Sequence, residues 1–137
     1  MRLSSKGEYA LLAMVYLARQ YGVGPVPTHE IATSNGVPKK FLEQILMTLK
    51  RSGFVQSRMG PEGGYLLTRA PDQISLAEIV RLMDGPIAAV GSVSERFHSS
   101  TPLERSPELL AVFRDIRNYA AARLESTTLA ALITQDE

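Results

Sequence analysis

The apolar periodicity of the chain changes at Gly53, and this change constrains the fold more than any other feature. Upstream, Pro38 to Ser52 reads PKKFLEQILMTLKRS, with Phe41, Leu42, Ile45, Leu46 and Leu49 at helical spacing and basic residues at both ends. Downstream, FVQSRM and GYLLTR are short β-prone runs around GPEGG. Gly60, Pro61, Gly63 and Gly64 oppose a helix there and permit the positive φ angles of a tight connection, so a hairpin is expected. Before the basic helix, Thr28 is expected to cap a short helix, HEIATSN, that Gly36 stops, and Pro38 suits the first helical position of the next. Two closely linked helices, then a hairpin with Arg58 and Arg69 at its shoulders, follow the element order of a winged helix-turn-helix.

The remaining pattern is helical. Ser4 to Tyr21 opens with hydroxyl residues and is unbrokenly apolar from Tyr9 to Ala18, which predicts a buried helix, and GVGPVP breaks it. Ser75 and Glu78 have capping-box spacing for a helix ending near Met83, closed by Gly85 and Pro86. Residues 87–105 lack periodicity. Ser106, Pro107 and Glu108 then start a long helix with Leu109, Val112, Phe113, Ile116, Tyr119, Ala120 and Leu124 along one stripe, and Thr127 or Thr128 caps a terminal helix, LAALI. A helix of ~18 residues is about 27 Å long. Its apolar stripe needs cover, either from a second copy of the chain or by folding back onto its own domain. The expected fold is mainly α with a small β-hairpin wing. Residues 1–84 form the winged helix-turn-helix, 85–105 an irregular loop, and 106–137 the dimerisation helix with a short terminal helix.

Charge separates the two halves although the chain is nearly neutral overall. Residues 1–70 carry nine basic and four acidic side chains, net +5, whereas residues 71–137 carry six and ten, net −4. A basic half beside an acidic one suggests one face for a polyanion and another for a different partner. No apolar run approaches the roughly 18 residues of a membrane span, and MRLSSKGEY lacks a secretory signal's apolar region, so a cytoplasmic protein with no membrane partner is expected. With no cysteine there is no disulfide and no thiolate ligand. An enzyme is not expected: no G-x-G-x-x-G opens a helix after a strand, there is no Walker lysine, and His29 and His98 are isolated. Tyr9, Tyr16 and Tyr65 suit core packing better than base stacking.

MRLSSKGEYALLAM, the GPVP turn, FLEQIL, LKRSGFVQSRMGPEGGYLL, MDGPI and LESTTLAAL together resemble the Rrf family of bacterial winged-helix transcription regulators, which includes IscR, NsrR and CymR. The resemblance spans nearly the whole chain, with the blocks in the family's order. It implies a homodimer held by the long C-terminal helix, reading a partly palindromic double-stranded operator with two winged heads, usually as a repressor. The recognition helix would be residues 38–52, entering the major groove with Pro38, Lys39, Lys40, Glu43 and Gln44 at its first turns. Gln44 suits adenine and Lys40 guanine, while Glu43 accepts only from cytosine. The alternative for Lys40 and Glu43 is a mutual surface pair. Arg58 matches the wing arginine that enters the minor groove, where A·T-rich sequence favours it; otherwise it is a solvated charge. Ser4, Ser5 and Lys6 suit a backbone phosphate or a plain helix cap. Thr28, Arg51, Gly60, Gly63, Gly64 and Tyr65 complete the expected DNA-contacting set.

The chain departs from the family in the loop after MDGPI. Many members place three cysteines there to hold an iron–sulfur cluster, but this chain has Ser92, Ser94, Glu95, His98, Ser99, Ser100 and Glu104. One imidazole and two carboxylates make a poor metal site. No metal and no cofactor are therefore expected, and the signal would come from an effector protein or small ligand, as in the cysteine-free, CymR-like branch, where a partner enzyme, cysteine synthase, supplies it. A second reading keeps the winged helix as a protein-interaction module without direct DNA reading; steep salt dependence of binding separates the two.

Overall fold

The computed structural model describes residues 2–88, 90–94 and 100–133. Six helices and one hairpin are formed there: α1 (Ser5–Arg19), α2 (Thr28–Asn35), α3 (Lys39–Arg51), β1 (Val55–Arg58), β2 (Gly64–Leu67), α4 (Leu76–Asp84), α5 (Pro107–Ser126) and α6 (Leu129–Ile133). Short 3-10 turns at Pro71–Gln73, Gly91–Val93 and Pro102–Arg105 fill the connections.

Local chemistry accounts for the helix ends. The Ser4 hydroxyl accepts from the Gly7 amide at the start of α1, and Ser75 and Glu78 close the expected capping box on α4. Ser106 accepts from the Leu109 amide at the head of α5, with Pro107 in the first turn. Gly36 ends α2 in the left-handed conformation, which costs glycine nothing. Thr28 does not cap α2: Pro27 occupies the cap position and Thr28 is already the first helical residue. Pro38 likewise caps α3 rather than opening it. Of the two candidates for α6, Thr128 takes the role, its hydroxyl accepting from the Ala131 amide.

The main core is built from one face of each of α1, α2, α3, α4 and α6 and from the base of the hairpin. Met14 of α1, Ile31 of α2, Leu42, Ile45, Leu46 and Leu49 of α3, Ile74 and Ile79 are all fully buried in one cluster with Val55 and Leu67 of the strands. The expectation of a wholly buried first helix is corrected: Ala10, Ala13, Met14, Leu17 and Ala18 face the core, but Leu12 is 45% exposed, because α1 is covered on one side only. The C-terminal segment is tied to this core. Leu129 of α6 is buried in the same core, the Leu76 amide donates to the Thr127 carbonyl (2.9 Å) and the Leu129 amide to the Ile74 carbonyl (3.0 Å). The chain thus leaves the winged domain along α5 and returns to it with α6.

The single stripe expected on α5 divides into two rows. Ala120 and Leu124, with Ala121, pack against Ala77 and Val80 of α4 and against Ile87, and Arg81 of α4 pairs with Glu125 at 2.5 Å. Phe113 is half-buried. Leu109, Val112, Ile116 and Tyr119 instead form an exposed apolar row, 49%, 54%, 54% and 74% accessible. At 3.6 residues per turn the seven apolar residues span an arc of about 140°, wide enough to serve two adjoining surfaces.

Candidate nucleic-acid interface

The outer face of α3 follows from how its inner face is buried. With Leu42, Ile45, Leu46 and Leu49 turned into the core, Lys39, Lys40, Glu43, Gln44, Met47 and Arg51 are exposed. Gly36 and buried Val37 make the tight turn that sets α3 against α2. Lys40 and Glu43 form no ion pair with one another, so their charged ends stay available to an outside partner. At the far end of the helix, Lys50 Nζ donates to Ser57 Oγ at 2.7 Å, tying α3 to β1.

The hairpin is antiparallel, with Val55 opposite Leu67 and Arg58 opposite Gly64. It is anchored at its root and free at its tip. Thr68 donates its hydroxyl to the Gly53 carbonyl, and Val26 and Tyr65 exchange two backbone hydrogen bonds of 2.8 and 2.9 Å, which adds a third strand-like segment beside β2. A side chain at Gly64 would run into the Val26 carbonyl, and one at Gly63 into the Arg58 carbonyl. These glycines and half-buried Tyr65, which packs on the core, shape the wing. Close backbone approach at Gly63 and Gly64 and the packing of Tyr65 thus build the wing on which these expected DNA-contacting residues stand.

The two shoulder arginines have separate fates. Arg69 lies over the Phe54 ring at 5.1 Å, pairs with Glu78 at 3.3 Å and donates to the Gln73 carbonyl, so it belongs to the framework. Arg58 is exposed at the end of β1 and pairs with no acidic side chain among the described residues. Beyond it, Gly60 has φ +108° and an open surrounding at the wing tip.

At the head of α1, Ser5 and Lys6 are exposed, but Ser4 is committed. Its amide donates to Asp84 Oδ2 at 3.0 Å and its hydroxyl to Asp84 Oδ1. The carboxylate that ends α4 therefore engages the Ser4 amide and hydroxyl at this helix N-terminus, and Ser4 serves as the plain helix cap that was the second of its two expected roles. Asp84 lies 80 residues from Ser4, so local sequence carried no signal for the contact. Met47 was also missed, since an apolar residue in an amphipathic helix reads as core. Nearby, Tyr16 donates to Glu30 at 2.6 Å across α1 and α2, and this bond to a carboxylate raises the tyrosine above its ordinary value of 10.0.

A buried helix pair presenting a polar face, beside a root-anchored wing with an unpaired arginine, defines a winged helix-turn-helix DNA-binding regulator. Sequence and structure comparisons give the family. Residues 3–135 match the model of the Rrf2 family, described as an iron-dependent transcriptional regulator, and the chain belongs to that family. It is 36% identical over 129 residues to the HTH-type transcriptional regulator CymR of Bacillus subtilis, covering 94% of this chain and 87% of that protein. It is 34% identical over 139 residues to the HTH-type transcriptional regulator IscR of Sodalis glossinidius, covering 100% and 81%. Among solved structures, CymR, the global cysteine regulator of B. subtilis, superposes with TM-score 0.81 at 34% identity over 98% of both chains. IscR of T. potens superposes with TM-score 0.77 at 31% identity over 100% and 89%.

The iron in the family description does not fit the donor set of this chain as a thiolate-held cluster. There is no cysteine anywhere in the sequence, and among the described residues no three histidine, aspartate or glutamate side chains come together as a metal site would require. Glu95, His98 and Ser99, considered as weak ligands or loop residues, lie outside the described residues. No helix among those residues is long and apolar enough to cross a membrane.

Proposed function

We propose that this regulator acts in the cytoplasm as a homodimeric repressor, without a cluster, enzymatic activity or membrane partner, on a double-stranded operator with two half-sites. The carrying observation is the outer face of α3, where Lys39, Lys40, Glu43 and Gln44 are exposed and Lys40 and Glu43 leave each other unpaired. Gln44 presents the donor and acceptor pair that adenine requires, and Lys40 a donor for guanine. Arg58 supplies minor-groove charge, and Ser5 and Lys6 backbone contacts, while Thr28, half-buried at the head of α2, lends its helix end to the phosphates.

The exposed row Leu109, Val112, Ile116 and Tyr119 serves as the self-complementary surface, since a two-fold dimer places the same row on both sides. An effector protein or small ligand acting near residues 87–105 would shift the heads by binding one arrangement more tightly than the other. Selection of bound fragments followed by footprinting tests the reading. It is supported by half-sites about 34 Å apart and affinity that falls steeply with salt. A flat salt response with no protected sequence would refute it and favour a protein-interaction module.

A further inference from the structure

We propose that Met47 is a specificity-determining residue of the DNA-reading face, contacting the C5-methyl of a thymine in the major groove. The inference rests on the reading of α3 as the recognition helix. The core does not account for Met47: Leu42, Ile45, Leu46 and Leu49 are each wholly buried, whereas Met47 is 50% exposed. Its helical neighbours at spacings of three and four, Glu43, Gln44 and Arg51, are exposed and polar, so Met47 is an apolar point within a polar surface.

The side chain is also held. Arg51 Nη2 lies 3.3 Å from Met47 Sδ, which occupies the polar atom of the thioether and restrains an otherwise flexible chain. What can such a group recognise? Phosphates and sugars offer a thioether little, and of the groups displayed in the major groove the thymine methyl is the apolar one. At about 1.5 Å rise per residue Met47 stands about 4.5 Å beyond Gln44 and about 10.5 Å beyond Lys40. With base pairs about 3.4 Å apart, the first span sets Met47 about one base-pair step from the base that Gln44 reads and the second about three steps from that of Lys40.

Being uncharged, Met47 contributes to choice of sequence and not to salt-dependent affinity. The test replaces each thymine of the selected operator by uracil, which removes only the methyl. Wild type should lose about fourfold in affinity at one thymine of each half-site, the equivalent of about one buried methyl-sized group. Met47→Ala and Met47→Gln should bind thymine and uracil alike there, Met47→Leu should keep the preference, and none should change the salt slope or the affinity for random duplex. The glutamine variant retains length at a half-exposed position, which guards against a folding defect of the alanine variant. Operator binding that is indifferent to every uracil, or uracil sensitivity retained in both polar and truncated variants, overturns the proposal and leaves the recognition-helix reading standing. Absence of preference for any duplex sequence overturns both.

Discussion

Ile116→Asp separates the stability of the protomer from that of the dimer. In the protomer Ile116 is 54% exposed and lies in the outer row of α5, so an aspartate there keeps access to water and should change protomer stability by about 1 kcal/mol or less. In the dimer proposed above, the same position would lie amid Leu109, Val112 and Tyr119 of both copies. Covering the exposed half of a leucine, valine or isoleucine contributes about 1 kcal/mol, half of the roughly 2 kcal/mol for burying the whole side chain. Leu109, Val112 and Ile116 in each of two copies give about 6 kcal/mol, before the contribution of Tyr119 and before the cost of association. The substitution removes about 2 kcal/mol of this across the pair and buries two unpaired carboxylates, each costing several kcal/mol. A total loss of at least about 4 kcal/mol raises the dissociation constant about a thousandfold. Sedimentation equilibrium should therefore show monomers at concentrations where wild type is dimeric, with thermal unfolding of the protomer little changed and operator affinity lost. Asn118→Asp, on another face of α5 and still able to accept from Arg117, should remain dimeric. An Ile116→Asp dimer of wild-type affinity would refute the assignment of the outer row.

Arg58→Ala should weaken operator binding and reduce the slope of log affinity against log salt by about 1, measured by fluorescence anisotropy from low to moderate ionic strength. Gln44→Ala should cost about 1–3 kcal/mol on the operator and relax preference at one base pair, which competition with single-base variants would show. Gly64→Ala should destabilise the wing, because the added methyl meets the Val26 carbonyl and φ is +154° there; hydrogen exchange at the Tyr65 and Val26 amides should speed up. The raised ionisation of Tyr16 means that the folded chain holds this proton more tightly than the unfolded chain. The contribution is full below pH 10, falls as the pH rises above it, and is absent in Tyr16→Phe, as chemical denaturation across that range would reveal.

Much of the fold was legible because its signals are local. Helical spacing from Phe41 to Leu49, the Ser75–Glu78 capping box, the stop at Gly36 and the glycine-rich hairpin each depend on residues a few positions apart. The outward set of α3 followed from the same periodicity, since fixing the buried leucines fixes Lys40, Glu43 and Gln44 on the other side. Met47 escaped because hydropathy records what a side chain is, whereas exposure depends on what packs against it.

Sequence by itself thus determined the order of elements, the basic reading half and the absence of thiolate ligands. Only tertiary structure decided how the apolar stripe of α5 is shared, with Ala120 and Leu124 on α4 and Leu109, Val112, Ile116 and Tyr119 left outward. It also decided that α6 returns to the first core, that Gly64 serves the approach of Val26, and that Asp84 closes the head of α1 across 80 residues. The physical reason is common to all four. Period and capping are properties of a short segment, but burial, close backbone approach and long-range charge pairing exist only once distant segments have met.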